Sequence, residues 1–402
     1  MKQRCLLILL LLSALPVFSQ TQTSTPTANP DEKKWYDRFT IRGYIQARQN
    51  NIINTNDSVV CEQCDRAWGG TGGFSIRRAR LTAIGEVYKN ISFKLEADFA
   101  TGINATNQNF SQVRDAYVDI GVDNANEYRI RIGQSKVPYG FENLQSSGVR
   151  LNMDRSDAIN SAFLSERDLG AVFMWGPARI RKRFSDLVSQ NYKGSGDFGV
   201  FALGIFNGQT SNRNELNKNQ HVVARAAYPF EIGGQTVEFG IQGYSGRYVM
   251  YDTQLSSGTV TSHDRNYTDQ RAGISAILFP KPFGIQAEYN IGKGPQFDTE
   301  TLSVLTKSLQ GGYVMFNYRL QNKQHLIFPY ARYQYYQGGK KTETDARGYT
   351  VHQVDMGIEW QLNKYLEFSA EYVIANRRYA DMVLNDNRQS GNSLRMQAQV
   401  SF

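Results

Sequence analysis

The amino-acid sequence predicts an all-β chain: a transmembrane antiparallel β-barrel of about 16 strands, within the usual range for such barrels, with its third outer loop folded inward. Three features lead there. Segments of alternating apolar and polar residues recur from Phe39 to Phe402. The links between them alternate between short and long. No stretch after the N-terminus approaches the roughly 18 consecutive apolar residues of a membrane helix. The composition fits many short strands, with 23 Tyr, 22 Phe and 35 Gly against only 10 Pro, and a hydrophobic fraction of 41%. Such a wall can look this polar overall because only alternate residues of each strand meet lipid.

Residues 1–19 read as a secretory signal peptide. Lys2 and Arg4 give a basic start, Leu6 to Leu15 an apolar core, and Val17-Phe18-Ser19 a cleavage site before Gln20. That core is too short to span a bilayer. Residues 20–38 follow as a flexible linker rich in Thr, Pro and Asn, and 39–402 as the barrel domain. Loss of Lys2 and Arg4 leaves 43 basic residues against 37 acidic, a mild excess. In an exported chain this points to a small anion as partner and away from nucleic acid. Cys5 leaves with the signal, so the mature chain keeps Cys61 and Cys64, in CEQC. A redox pair belongs at a helix start. This pair sits among Asn, Asp and Gly, so a disulfide stapling an outer loop is expected, with no structural zinc site.

The strands can be read one by one. In Phe39–Arg48, Ile41, Gly43, Ile45 and Ala47 oppose Arg42, Tyr44, Gln46 and Arg48. In Arg78–Tyr88, Ala79, Leu81, Ala83, Gly85 and Val87 oppose Arg78, Arg80, Thr82 and Glu86. Ile91–Phe99 alternates in the same way, the mark of a strand with one apolar and one polar face. Further strands are expected near 113–122, 128–135, 168–176, 198–206, 220–228, 237–246, 269–279, 283–292, 309–321, 324–336, 351–361, 365–375 and 393–402. Tight turns lie at Lys89-Asn90, Asp123–Glu127, Pro280–Pro282, Asn322-Lys323 and Asn363-Lys364. Long polar links lie at 51–73, 136–167, 207–219, 247–268, 293–308, 337–350 and 376–391. Short turns at one end and long loops at the other are the habit of outer-membrane barrels. The link 176–197 breaks the rule: it falls where a short turn belongs, and RIRKRFSDLV within it suggests a short periplasmic helix, with Lys193 on its far side. The chain ends on an alternating strand, Leu394 to Phe402, whose terminal aromatic resembles the signal read by the barrel assembly machinery. Trp35, Trp175, Phe279, Trp360 and Tyr365 fall near strand ends, where aromatic girdles meet the lipid interface.

With the apolar phase toward lipid, the other phase lines a lumen dense in charge. Charged side chains at strand centres require a wet interior. Basic candidates for contact with a passing anion are Arg42, Arg78, Arg80, Arg129, Arg131, Lys136, Arg225, Arg271, Arg319, Arg332 and Arg395. Arg offers paired donors to phosphate or carboxylate oxygens. Acidic residues share the same phase, so mutual neutralisation with little ion preference is the competing reading. The link 136–167 carries Lys136, Arg150, Arg155 and Arg167 among Glu142, Asp154, Asp157 and Glu166, and a long segment of this kind in a compact chain is commonly functional. It reads as a loop folded into the pore, or as an ordinary exposed loop. For catalysis nothing is assigned: the four His are scattered, and no nucleophile elbow, HExxH or phosphate-binding loop occurs. No cofactor and no metal are implied.

The stretches RRARLTAIGEVYKNISFKLEADF (77–99), VRDAYVDI (113–120), YRIRIGQSKVPYGFE (128–142) and RDLGAVF (167–173) resemble the phosphate-selective porins of the O and P type. The resemblance implies a trimeric sixteen-stranded barrel in the outer membrane of a Gram-negative bacterium, in contact with lipid and lipopolysaccharide, whose third outer loop folds inward. It makes Lys136 the expected constriction residue. The function expected is passive diffusion of small hydrophilic solutes with a preference for anions such as phosphate. The alternative is a structural or surface-interaction barrel with a blocked lumen.

Overall fold

The computed structural model describes residues 35–55, 72–100 and 111–402. Cys61 and Cys64 lie outside the described residues, as do the signal and most of the linker. Among the described residues, sixteen strands form one antiparallel sheet that closes on itself. In chain order they are β1 (Phe39–Thr55), β2 (Gly73–Tyr88), β3 (Ile91–Asp98), β4 (Gln112–Gly121), β5 (Tyr128–Lys136), β6 (Arg167–Trp175), β7 (Phe201–Phe206) and β8 (His221–Ile232). There follow β9 (Gln235–Val249), β10 (Asn266–Leu278), β11 (Phe283–Asp298), β12 (Ser303–Tyr318), β13 (His325–Gly339), β14 (Gly348–Gln361), β15 (Leu366–Ala380) and β16 (Asn387–Ser401). Strand β12 resumes after Arg319 as Leu320–Asn322, and both pieces pair with β13. Every strand pairs with its neighbours in sequence, and β1 closes on β16 with Ala47 opposite Ala398.

The closing seam uses the last residue. Gly43 N donates to the Phe402 carbonyl at 2.8 Å, and Phe402 N donates back at 2.9 Å. A Cβ on Gly43 would lie 2.4 Å from the Arg80 carbonyl oxygen and 2.7 Å from the Phe402 ring, so the glycine makes room for the terminal aromatic. Closure leaves no bare edge strand to template aggregation.

Alternation sets the two faces. Ile41, Ile45, Leu81, Leu95, Ile132, Leu203, Ile241, Ile274, Ile358 and Val400 are exposed on the outer face, while their neighbours in sequence turn inward. At the short-turn end the outer face carries ring pairs, Tyr128–Phe173, Phe230–Phe239, Phe283–Phe316 and Trp360–Phe368. This is the girdle expected at a lipid interface. Phe279 does not belong to it. Its side chain is buried and packs 6.0 Å from Phe141, because 279 falls on the inward phase of the β10 alternation.

At the long-link end the strands run on past the sequence-derived limits. The link placed at 293–308 is a hairpin whose strands reach Asp298 and start again at Ser303, with Lys307 paired to Asp298 across it. Above the membrane neither face must meet lipid, so the backbone ladder continues where apolar alternation has stopped. The anomalous link near 176–197 holds a helix, Ala178–Ser189, with Ile180, Phe184 and Leu187 on its buried stripe. Their i, i+4, i+7 spacing is that of an amphipathic helix face.

Candidate functional site

Strand β5 ends at Lys136 and pairs there with Arg167, the first residue of β6. The thirty residues between them, 137–166, are mostly buried, with two one-turn helices at Phe141–Leu144 and Asp157–Asn160. Each end is pinned by a cation. Lys136 Nζ donates to the carbonyls of Leu144 (2.7 Å) and Gln145 (2.8 Å), folding the segment back on its own root. Arg167 pairs with Asp115 at 2.5 Å and with Glu166 at 3.0 Å. The first helix starts against the wall: Glu288 of β11 accepts from Phe141 N (2.6 Å), Glu142 N (2.7 Å) and the Tyr313 hydroxyl (2.8 Å). Buried N–H groups at a helix start need such acceptors.

Three acids of the segment meet arginines of the wall. Glu142 pairs with Arg332 of β13 at 2.8 Å, and Arg332 also pairs with Asp355 at 2.6 Å. Asp154 is shared by Arg48 of β1 (3.4 Å), Arg77 of β2 (3.3 Å) and Arg395 of β16. Asp157 takes Arg377 of β15 at 3.0 Å and Lys340 at 2.5 Å. Arg271 of β10 donates to the Ala158 carbonyl (3.0 Å) and to Ser161 Oγ (2.9 Å). The segment therefore touches β1, β2, β10, β11, β13, β15 and β16 on their buried phase. Burial by itself would raise the carboxyl pKa values of Asp154, Asp157 and Glu166, yet the surrounding Arg and Lys more than offset it and hold all three below the ordinary range.

Apolar side chains complete the packing. Leu151 and Ile159 sit with Tyr313, Met315, Leu326, Phe328 and Tyr330. Tyr139 and Phe163 sit with Val172, Met174, Phe206 and Tyr244. These wall residues occupy the inward phase of their strands. Where a barrel lumen is meant to hold only water, that phase would be polar.

The candidates named from sequence divide into groups. Arg271, Arg332 and Arg395 converge on the segment 137–166, each bonded to it or to an acid it carries. Lys136, Arg129 and Arg131 do not converge: Arg129 pairs with Asp197 at 2.9 Å, Arg131 with Asp119 at 2.7 Å, and Lys136 holds carbonyls. Arg225 pairs with Glu238 at 2.9 Å, Arg42 is exposed, and Arg319 lies at the break in β12 with its guanidinium 4.9 Å from the Tyr192 ring. Arg80 pairs with Asp98 at 2.7 Å and donates to Ser147 Oγ at 3.0 Å. Arg78 donates to Gln46 Oε1 at 2.8 Å. Lys193, expected on a periplasmic turn beyond the helix of the 176–197 link, is buried and paired with Glu359 of β14. Sequence reading missed Arg377 and Lys340. Both lie just beyond the recognised limits of their strands, and extending the inward phase of 365–375 by one step would have reached Arg377.

Three buried cations, Arg78, Arg150 and Arg271, and the half-buried Lys136 are bonded only to neutral oxygens among the described residues. Arg150 donates to the carbonyls of Asn152 and Met153 at 2.8 Å each, and its Nη1 has no partner. Arg77, Arg80 and Arg150 are the cations that bear on Arg78, with Tyr44 acting in the opposite sense. Arg78 and Arg150 thus bring guanidinium groups without a bonded carboxylate to β2 and the 146–150 part of the segment, with Glu142, Asp154 and Glu166 also acting on Arg150. Of the buried acids without a cation, Glu288 on β11 and Asp168 on β6 accept backbone N–H groups instead.

A family model for phosphate-selective porin O and P matches residues 54–402. The chain is a member of that family. No curated protein matches its sequence. Solved porins share its fold at low identity. The outer-membrane channel DcaP of Acinetobacter baumannii aligns with TM-score 0.58 and 13% identity over 90% of this chain and 97% of that one. OprB of Pseudomonas putida aligns with TM-score 0.54 and 8% identity over 90% and 94%. The trimer form of OmpT from Vibrio cholerae aligns with TM-score 0.53 and 11% identity over 90% and 99%. This porin is accordingly an outer-membrane channel, and family and fold speak for a channel and not an enzyme.

Proposed function

We propose that this porin is a passive diffusion channel with a preference for small anions such as phosphate, and that the segment 137–166 lies within the lumen as its constriction. The observation that carries the preference is the pair Arg78 and Arg150. Both are buried, and neither has a carboxylate partner among the described residues. An anion entering there exchanges part of its hydration for guanidinium donors. It meets no acid at that point that is not already paired, since Asp154, Asp98 and Glu96 are each engaged by other arginines. Donors that replace hydration only in part bind weakly enough to release. Support for the constriction is the ring of contacts from the segment to strands on every side.

The same ring of contacts favours a second reading, a lumen too filled to conduct. Single-channel recording separates the two. The expected result is discrete current steps, with anion preference falling in Arg78→Gln/Arg150→Gln. Absence of steps from folded protein would support the filled barrel, and steps with unchanged selectivity in the double variant would remove these arginines from the solute path. We further propose a homotrimer, in lipid and lipopolysaccharide, delivered by the barrel assembly machinery through the strand ending in Phe402. The seam between Gly43 and Phe402 supports the last of these.

A further inference from the structure

The link between β6 and β7 also enters the barrel. After the helix Ala178–Ser189 the chain reverses at Asn191 and Lys193, both with positive φ, and returns to β7 through Gly194, Gly196 and Gly199. Its contacts lie on two distant parts of the wall. Asp197 takes Arg129 of β5 at 2.9 Å and Arg181 of the helix at 2.8 Å, and Phe198 lies 5.7 Å from the Arg131 guanidinium. Four residues earlier, Lys193 pairs with Glu359 of β14 and stands 4.6 Å over the Phe328 ring of β13. Tyr192 packs beside Phe141, Leu187, Ile277 and Phe279, reaching the inward phase of β10. Strands β5 and β14 stand nearly opposite in a closed ring of sixteen, nine neighbours apart one way and seven the other. A short stretch of chain bonded to both must cross the lumen. It crosses at the short-turn end, beneath the segment 137–166, and meets it through Tyr192 beside Phe141 and through Gln145 Nε2, which donates to the Lys193 carbonyl at 2.7 Å.

We propose that residues 190–198 form a second constriction, at the periplasmic mouth, and that the Lys193–Glu359 pair is the latch that sets its aperture. The latch is dry: Lys193 is 4% exposed and Glu359 1%. Pairing there is not screened as a surface pair would be. Glycines on the far side of Lys193 give the crossbar freedom to swing once the pair is broken. The inference rests on the channel function but not on the anion preference. Loss of the latch changes the size of the current, whereas failure of the anion reading changes the sign of the reversal potential.

Two constrictions in series add their resistances, so removing one of comparable size raises single-channel conductance about twofold. Lys193→Ala and Glu359→Gln should each do so in planar bilayers, and the exchange Lys193→Glu/Glu359→Lys should return the conductance toward the parent value. Variants that keep the heat-resistant gel mobility of a folded barrel and conduct like the parent would overturn the proposal. So would an exchange that stays as open as the single variants. A second test keeps both Lys193 and Glu359. In a Cys61→Ser/Cys64→Ser background, Ser195→Cys is labelled with a bulky thiol reagent and the extent followed by mass. Full labelling should reduce the current, and full labelling with unchanged current would place the link outside the conduction path.

Discussion

Asp154→Asn should loosen one side of the segment 137–166 without opening the wall. Asp154 answers Arg48 at 3.4 Å, Arg77 at 3.3 Å and Arg395. The side chains of Asp154, Arg48 and Arg395 are 5%, 0% and 2% exposed, so the cluster behaves as a buried one. Removing one partner of a buried pair costs about 3–5 kcal/mol, because the remaining charge is left without compensation. An exposed pair would cost about 0–1 kcal/mol. Asn keeps the volume and one acceptor, which places the cost near the lower figure. At about 1.4 kcal/mol per tenfold, that shifts the docked-to-undocked ratio of this part of the segment by roughly a hundredfold. The first and second helices stay anchored through Glu142–Arg332 and Asp157–Arg377, and the β1–β16 seam is untouched. Planar-bilayer recording should therefore show larger current steps and a reversal potential moved toward anions, since one carboxylate is removed from the cluster while Arg395 retains Glu371. Folded Asp154→Asn with the parent's conductance and selectivity would refute both the burial argument and the place given to the segment.

Other outcomes follow from the same geometry. Lys136→Glu should lower heat stability as well as anion preference, because it sets a carboxylate against the Leu144 and Gln145 carbonyls that the ammonium now holds; a melt monitored by gel mobility checks this. Gly43→Val should impair closure of the β1–β16 seam and reduce the yield of folded barrel, as the Cβ would meet the Arg80 carbonyl at 2.4 Å. Cys61 and Cys64 should be oxidised in protein taken from the membrane, two hydrogens lighter by mass, with little loss of heat stability on reduction because the closed loop is small. Any rise in conductance that comes from loosening Asp154, Asp157 or Glu166 should begin only below about pH 4, the ordinary carboxyl range. Asp154, Asp157 and Glu166 are held below that range, so their contribution is complete above it and is lost only as the pH falls further.

How much was legible depended on whether a residue's partner was close in sequence. Strand existence was plain, since lipid on one side enforces strict alternation, as in Ile91–Asp98. Strand ends above the membrane were not, because lipid no longer sorts the two faces there. Lys340 and Arg377 lay beyond the assigned limits for that reason. The charged phase was legible, but its pairing was not. Arg332, Arg395 and Arg271 could be placed inward by parity alone, while their bonds to Glu142, Asp154 and the Ala158 carbonyl span more than a hundred residues. One signal was present and unused. Tyr313, Met315, Leu326 and Phe328 are apolar or aromatic on the inward phase, and they mark where Leu151 and Ile159 of the segment 137–166 pack on the wall. Ile277 and Phe279 do the same for the 177–200 link.

The most direct measurement is the reversal potential of the unaltered channel in a planar bilayer across a potassium chloride gradient. Buried Arg78 and Arg150, free of carboxylates among the described residues, predict current steps and a potential of the sign set by chloride. A potential near zero, or one of the sign set by potassium, would mean that the paired acids of the lumen govern passage, contrary to the proposal.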